Sequence, residues 1–352
     1  MPSLSLAVMV RDDAARLKRC IDAAQKAVDQ VVVLDTGSKD DTVEVARAAG
    51  AHVEQIEWPG SFSIGLNRLL DMVTTDWVLR LDSDEWFEAD PKERLLKLMG
   101  KKDVYGHKLI RRDILEDGRF REISIFRLWR NDPRLRYEGL VHENISNRGI
   151  EEAFARMTVG NSSLWFWHDG YSKGSEAKLR RNIELIENEL TARPDQPYYQ
   201  AMRAVMYRDL EDPRASALIE QAADEALTQK EASTRMVAGV FSSLLQDTPD
   251  DQLNSTRVSS VIERAWQWFP DYPGVLWAIG TAELRRQNSK GSLKAFLALE
   301  ELAASGRYER TMPFDPAILG AHLWNALGYA AQQVGRHDIL ERCARKLQNG
   351  PR

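Results

Sequence analysis

Residues 76–87, DWVLRLDSDEWF, lead three apolar residues, Trp77, Val78 and Leu79, through Arg80 and Leu81 into three acids within four positions, Asp82, Asp84 and Glu85. Trp86 and Phe87 follow at once. A short continuous apolar run is the pattern of a strand covered on both faces, as in a parallel sheet. Clustered carboxylates repel one another and are costly to bury unpaired. A buried strand that ends in such a cluster therefore needs something of opposite charge at its end.

The same arrangement recurs upstream. LSLAVMV (4–10) is a first strand, and ARLKRCIDAAQKAV (15–28) spaces Leu17, Cys20, Ile21, Ala24 and Val28 along one helical face. QVVVLD (30–35) is a second strand, followed by turn chemistry in TGSKDD, with Gly37 permissive and Ser38, Asp40 or Asp41 available as a helix cap. A helix over 42–50 ending at Gly50, a third strand at 52–58 and a helix over 62–73 complete the run. Apolar strands alternating with helices predict an α/β domain with a mostly parallel, Rossmann-like sheet. Ligands bind such sheets beyond the carboxyl ends of the strands. Three polar ends fall there: Arg11-Asp12, Asp35-Thr36-Gly37-Ser38 and Asp82-Ser83-Asp84.

Residues 104–170 read as a more irregular α+β region, with strands in YGHKLIRR, ISIFRLWR and LWFWHDG and an exposed loop at 115–120. After Gly174 the chain is helical to its end, in nine predicted helices separated by turns such as RPDQP and FPDYPG. The last pair carries Trp324, Leu327, Gly328 and Gly335 at spacings that resemble a tetratricopeptide repeat, with Tyr329 displaced and Ala331 in the slot where Tyr is usual. Two domains are predicted, 1–190 and an all-α helical-repeat domain over 191–352.

Length supports that division, since 352 residues exceed what one core usually holds. A net charge of −5 argues against binding nucleic acid through bulk charge, and the basic stretch KLIRRD reads as a solvated face. The longest apolar runs fall short of a membrane span, and the N-terminus reads as a strand rather than a signal peptide. Cys20 and Cys343, at opposite ends, suggest neither a disulfide framework nor a zinc site. A reducing, cytoplasmic setting is expected.

LSLAVMVRDDAARLKRCIDAA, VDQVVVLDTGSKDDTVEVARAAGAHV and DWVLRLDSDEWF together resemble a family 2 glycosyltransferase of the GT-A fold, as do EGLVHENI (138–145) and HDGY (168–171), which bacterial members with helical C-terminal arrays often show. The likeness covers about the first 190 residues. It implies that Asp82 and Asp84 hold Mg²⁺ or Mn²⁺ against the diphosphate of a nucleotide-sugar donor, flanked by Ser83, with His168 as a further ligand. It implies that Asp35 accepts a hydrogen bond from the base, uracil by preference, that Thr36, Gly37 and Ser38 shape that pocket, and that Arg11 and Asp12 flank the base or ribose. Glu85 would bond a sugar hydroxyl or order the ion's surroundings. An inverting reaction needs a base on the acceptor; Glu143 leads, with His142 and Asp169 behind it. One departure stands out. Relatives have an Ala-Arg-Asn step where this chain has Gly65-Leu66-Asn67; Asn67 survives, and only Arg68 is left to replace the arginine at the donor phosphates.

Each residue also has a plainer reading. The D-x-D acids can be a solvated turn, Asp35 an Asx-type turn, Glu85 an acid at a helix start, the His142-Glu143 pair and His168 packing residues, and the tryptophans core. Two other functions remain. One is a nucleotidyltransferase, against which VRDDAARL offers no glycine-rich loop. The other is a catalytically silent binding protein, for which the SIGLN segment is the one favouring feature. The acceptor, a protein or peptide or a surface glycan, is not written in the residues.

Overall fold

The computed structural model describes residues 2–139, 144–170, 175–232 and 234–348. Its chain divides into two compact units, Met1–Ser175 and Glu176–Arg352. In the first, the strands are β1 (Leu4–Val10), β2 (Gln30–Asp35), β3 (His52–Gln55), β4 (Trp77–Arg80), β5 (Glu85–Trp86), β6 (Val104–Ile114), β7 (Phe120–Arg130), β8 (Tyr137–Glu138), β9 (Asn144–Ile145) and β10 (Thr158–His168). Helices α1 (Ala14–Ala24), α2 (Thr42–Ala48), α3 (Phe62–Asp71), α4 (Lys92–Met99) and α5 (Asn147–Phe154) accompany them. Eight strands form one sheet in the order β3-β2-β1-β4-β7-β6-β10-β5, and β8 pairs with β9 separately.

The first four strands are mutually parallel, so the ends of β1, β2 and β4 point to one edge. Strand β7 runs antiparallel between β4 and β6 and closes the parallel half. Both faces are covered. Leu6, Val8, Leu17, Ile21, Leu79 and Phe166 pack on one side; Ala7, Val32, Leu34, Leu69, Val78 and Trp129 pack on the other. Alternate residues of β1 thus enter different cores, which is why its sequence shows no polar alternation.

The differences from expectation are local. Helix α1 gives way at Gln25 to a 3₁₀ turn. Strand β3 ends four residues ahead of Pro59. Glu85 lies in a strand paired with the end of β10, opposite His168, so it is not an acid at a helix start.

The second unit holds α6 (Ser175–Ala192), α7 (Pro197–Asp209), α8 (Ala215–Leu227), α9 (Met236–Asp247), α10 (Thr256–Trp268), α11 (Pro273–Arg285), α12 (Ser289–Ser305), α13 (Ala321–Gln333) and α14 (His337–Gln348). The apolar faces of α7 to α14 share one core, in which Trp268 stacks on Phe241. Small residues let the helices of a pair approach: a Cβ on Gly328 would stand 3.5 Å from the Cβ of Cys343 on α14. Ala331 is fully buried and Tyr329 is exposed, as their displaced positions require. Among the described residues no helix is long and apolar enough to cross a membrane.

Helix α11 meets α12 at Gly280, where an added Cβ would overlap the ring of the fully buried Phe296. A rigid buried ring cannot yield cheaply, so Gly280→Ala is expected to destabilise the helical unit by about 1–3 kcal/mol. Urea unfolding followed by helical circular dichroism would measure it, and an unchanged midpoint would contradict the close packing.

Candidate active site at the carboxyl edge of the sheet

The three polar strand ends are tied together by hydrogen bonds. Asp12 adopts a left-handed φ of 50°, which an aspartate tolerates, and turns the end of β1 toward β2. Its N–H donates to Ser38 Oγ at 2.8 Å, and its carboxylate accepts the Lys39 N–H at 2.6 Å. Arg11 is exposed beside it, 3.6 Å from the Asp12 carboxylate. Asp13, which the sequence reading missed, accepts the Ser83 hydroxyl at 2.6 Å and so links β1 to the D-x-D. Burial pushes the Asp13 carboxyl upward in pKa, against the opposing effects of Ser83 and Arg16.

Asp35 is fully buried and turned back on its own turn. One oxygen accepts from the N–H groups of Gly37 at 3.2 Å and Ser38 at 3.1 Å. Gly37 has a φ of 100°, which explains the glycine there. Thr36 donates its hydroxyl to the carbonyl of Val10. This is the Asx-type turn of the plainer reading.

Two acids of the opening stretch, Asp82 and Glu85, are met by arginines, one from β4 itself and two from neighbouring strands. Arg80 binds Asp82 through two nitrogens, at 2.6 and 2.9 Å. Arg127, on β7, reaches both Asp82 at 2.8 Å and Glu85 at 2.7 Å. Arg111, on β6, lies 3.7 Å from the fully buried Glu85 and donates to Asp113 at 2.6 Å. Glu85 also accepts the Asp82 N–H at 3.0 Å, closing the turn. Arg127, Arg111 and Asp113 were not legible as site residues, because only strand register brings them here.

Asp84 is the acid that faces elsewhere. Its Oδ2 lies 3.5 Å from Nε2 of His168 at the end of β10, whose Nδ1 is 2.8 Å from Asp113. Burial alone would lower the His168 pKa, but its hydrogen bonds to Asp113 and Asp84 outweigh that and raise it. Burial likewise opposes ionisation of Asp113, yet the bond from His168 and the charges of Arg111 and His168 bring its pKa below the usual carboxylate range. Gly170 lies against this pair: an added Cβ would fall inside van der Waals contact of both Asp84 Oδ2 and His168 Nε2. That cradle is sized for an atom bonded to both, and carboxylate with imidazole is a donor set for a divalent ion. Among the described residues no three His, Cys, Asp or Glu side chains are grouped to hold a metal ion by themselves.

Asp169 is held by Arg19 at 2.8 Å and Arg16 at 3.2 Å, both from α1. Arg19 also lies 3.6 Å over the ring of Trp86. His142 and Glu143 lie outside the described residues. Of the aromatics, Phe166 and Trp129 are buried, while Trp165 and Trp167 are partly exposed and flank Arg112.

Helix α3 commits its polar residues to structure. The Asn67 amide accepts the Tyr137 N–H at 2.8 Å and donates to the Tyr137 carbonyl at 3.0 Å. One turn earlier, Ser63 donates to the carbonyl of Gly139. Together they anchor β8. Arg68 pairs with Glu54 on an exposed face. Gly65 makes room for Met9, whose sulfur would stand 2.7 Å from an added Cβ, so the SIGLN departure is a packing feature. Asn67→Ala leaves two strand groups unpaired and is expected to cost about 2 kcal/mol, read from urea unfolding. A loss below a few tenths would mean that α3 does not anchor β8.

The sequence profile described as glycosyl transferase family 2 matches residues 5–156. A TPR repeat-containing protein of Synechococcus elongatus is 29% identical over 194 residues, covering 52% of this chain and 48% of that protein. The glycosyltransferase SunS of Bacillus subtilis, derived from prophage SPbeta, is 24% identical over 202 residues, covering 56% and 47%. The chain thus spans about half the length of the curated relatives it matches. A crystal structure of Mycobacterium tuberculosis glucosyl-3-phosphoglycerate synthase with Mn²⁺, uridine diphosphate and glucosyl-3-phosphoglycerate covers 54% of this chain and 79% of its own, at 16% identity and a TM-score of 0.40. That score decides nothing about the site. The parallel strand ends and the D-x-D at the end of β4 thus fall within residues 5–156, the stretch that matches glycosyl transferase family 2.

Proposed function

We propose that the N-terminal unit transfers a hexose from a nucleoside-diphosphate sugar, UDP-linked by preference, to a nucleophile on an acceptor, with inversion and with a divalent cation at the diphosphate. The observation that carries this reading is the facing of Asp84 and His168 across Gly170, at the strand edge where a parallel sheet receives its ligand. Asp84 and His168 would hold the ion, and Asp82 would reach it on leaving one of its guanidinium partners. Diphosphate oxygens and water would complete the shell. Such an ion, when bound, neutralises the charge that develops on the departing nucleoside diphosphate. A nitrogen ligand suits Mn²⁺ better than Mg²⁺, which prefers oxygen.

The chain's own residues supply the setting. The Asp13–Ser83 bond fixes the D-x-D against the end of β1. The Asp35 turn shapes the floor for a base, and a bond from uracil would require this fully buried carboxylate to be uncovered. Glu85, locked by Arg127 and Asp82, serves to hold the acids in place more readily than to touch a sugar. Two guanidinium groups occupy Asp169, so the base assignment stays with Glu143, and with His142 after it. The helical unit would select the acceptor, a protein or peptide, since stacked repeats commonly bind partners.

Release of nucleoside diphosphate from a panel of nucleotide-sugars, with Mn²⁺, Mg²⁺ or EDTA, tests the proposal. Metal-dependent release from one donor is expected, lost in EDTA. Tight binding without release, even with candidate acceptors, would favour a silent donor-binding protein. No binding of any donor would overturn the reading.

A further inference from the structure

We propose that Asp113 is a positioning residue of the cation site, fixing the His168 ring so that Nε2 is presented to the space shared with Asp84. The proposal rests on the reading of Asp84 and His168 as cation ligands. Asp113 on β6 and His168 on β10 are register partners in adjacent parallel strands, so their side chains leave the same face of the sheet. Asp113 is fully buried, and one of its oxygens receives both His168 Nδ1, at 2.8 Å, and Arg111 Nε, at 2.6 Å. Its second oxygen takes another Arg111 nitrogen at 3.2 Å.

A carboxylate held by a guanidinium can only accept, so the proton of a neutral His168 must sit on Nδ1. The Nε2 lone pair is then left toward Asp84 Oδ2, 3.5 Å away. In the imidazolium form Nε2–H donates to Asp84, and with the ring neutral a divalent cation can take the place of that proton. A histidine whose second nitrogen donates to a carboxylate is the usual arrangement for ring orientation at a metal, and loss of the carboxylate commonly weakens binding by about 10- to 100-fold. The plainer role, neutralising Arg111, is already shared by Glu85, which lies near the same guanidinium.

The test is Mn²⁺ affinity of the full chain, by calorimetry with UDP present, in wild type, Asp113→Ala, His168→Ala and the double variant. Asp113→Ala is expected to weaken Mn²⁺ by roughly 10- to 100-fold. With His168 already absent, the same change should cost less than about twofold, because coupled residues are not additive. Asp113→Asn keeps an oxygen acceptor and is expected to restore most of the affinity. If His168→Ala weakens Mn²⁺ while Asp113→Ala does not, or if the two losses multiply, this inference falls and the cation site stands. Should wild type take no Mn²⁺, both fall. A measurement on wild type alone guards against an unfolded variant: nitrogen shifts of the ring at mildly alkaline pH, with His168 assigned by its absence in His168→Ala. A proton on Nδ1 supports the proposal, and a proton on Nε2 overturns it.

Discussion

Asp84→Ala is expected to remove metal-dependent turnover, with a loss of about three orders of magnitude in kcat/KM, roughly 4 kcal/mol of transition-state stabilisation. The structure separates the two acids of the D-x-D, which sequence treats as equals. Asp82 is clasped by Arg80 and Arg127, whereas Asp84 turns to His168 across a space kept clear by Gly170. Asp84 is also peripheral to the Arg127–Glu85–Arg111 chain that stabilises the turn, so its removal should spare the fold. Steady-state kinetics on the donor found in the panel, with a melting curve alongside, would measure both. A variant that keeps its Mn²⁺ dependence and loses less than about threefold would mean that the ion sits elsewhere.

Gly170→Ala is the second large effect, and it adds atoms instead of removing them. The new methyl would overlap the tips of Asp84 and His168, not any backbone. Side-chain tips can give way, so the folding cost is small and the melting point should move by no more than a few degrees. What is lost is placement. A displacement of about 1 Å at reacting groups can cost about 100-fold, and that is the expected fall in Mn²⁺ affinity and in turnover. Calorimetry on the same sample as the melting curve checks the pairing. Normal Mn²⁺ affinity with a normal fold would show that the space beside Gly170 is not where the ion binds.

The parallel half of the sheet was legible because β1, β2 and β4 are local apolar runs ending in a polar step: LSLAVMV before Arg11, QVVVLD before Thr36, WVLRL before Asp82. The carboxyl edge was legible for the same reason. The arginines were not. Arg127 comes within reach of Asp82 only because β7 returns antiparallel beside β4, and Arg111 reaches Asp113 and Glu85 only because β6 follows in the sheet. No local pattern in ISIFRLWR or YGHKLIRR says which of their arginines face the acids; a bulge between β6 and β7 shifts that parity. Asn67 illustrates the opposite error. Its place in the segment is the family's, but both ends of its amide are spent on Tyr137. In the helical unit, Ala331 is buried and Tyr329 exposed because burial there follows the helical period.

The order of charges around the D-x-D has one more consequence. Among the described residues, acid and base alternate from Asp82 through Arg127, Glu85, Arg111 and Asp113 to His168 and Asp84. Alternating charges a few ångströms apart cancel one another at a distance, and salt screens what remains beyond roughly 8 Å. A chain of net charge −5 adds no long-range pull on an anionic sugar nucleotide either. In the proposed reaction, capture of the donor would therefore be decided at contact, by the fit of its phosphates and ion to groups already in place. Electrostatic steering would then contribute little to that encounter.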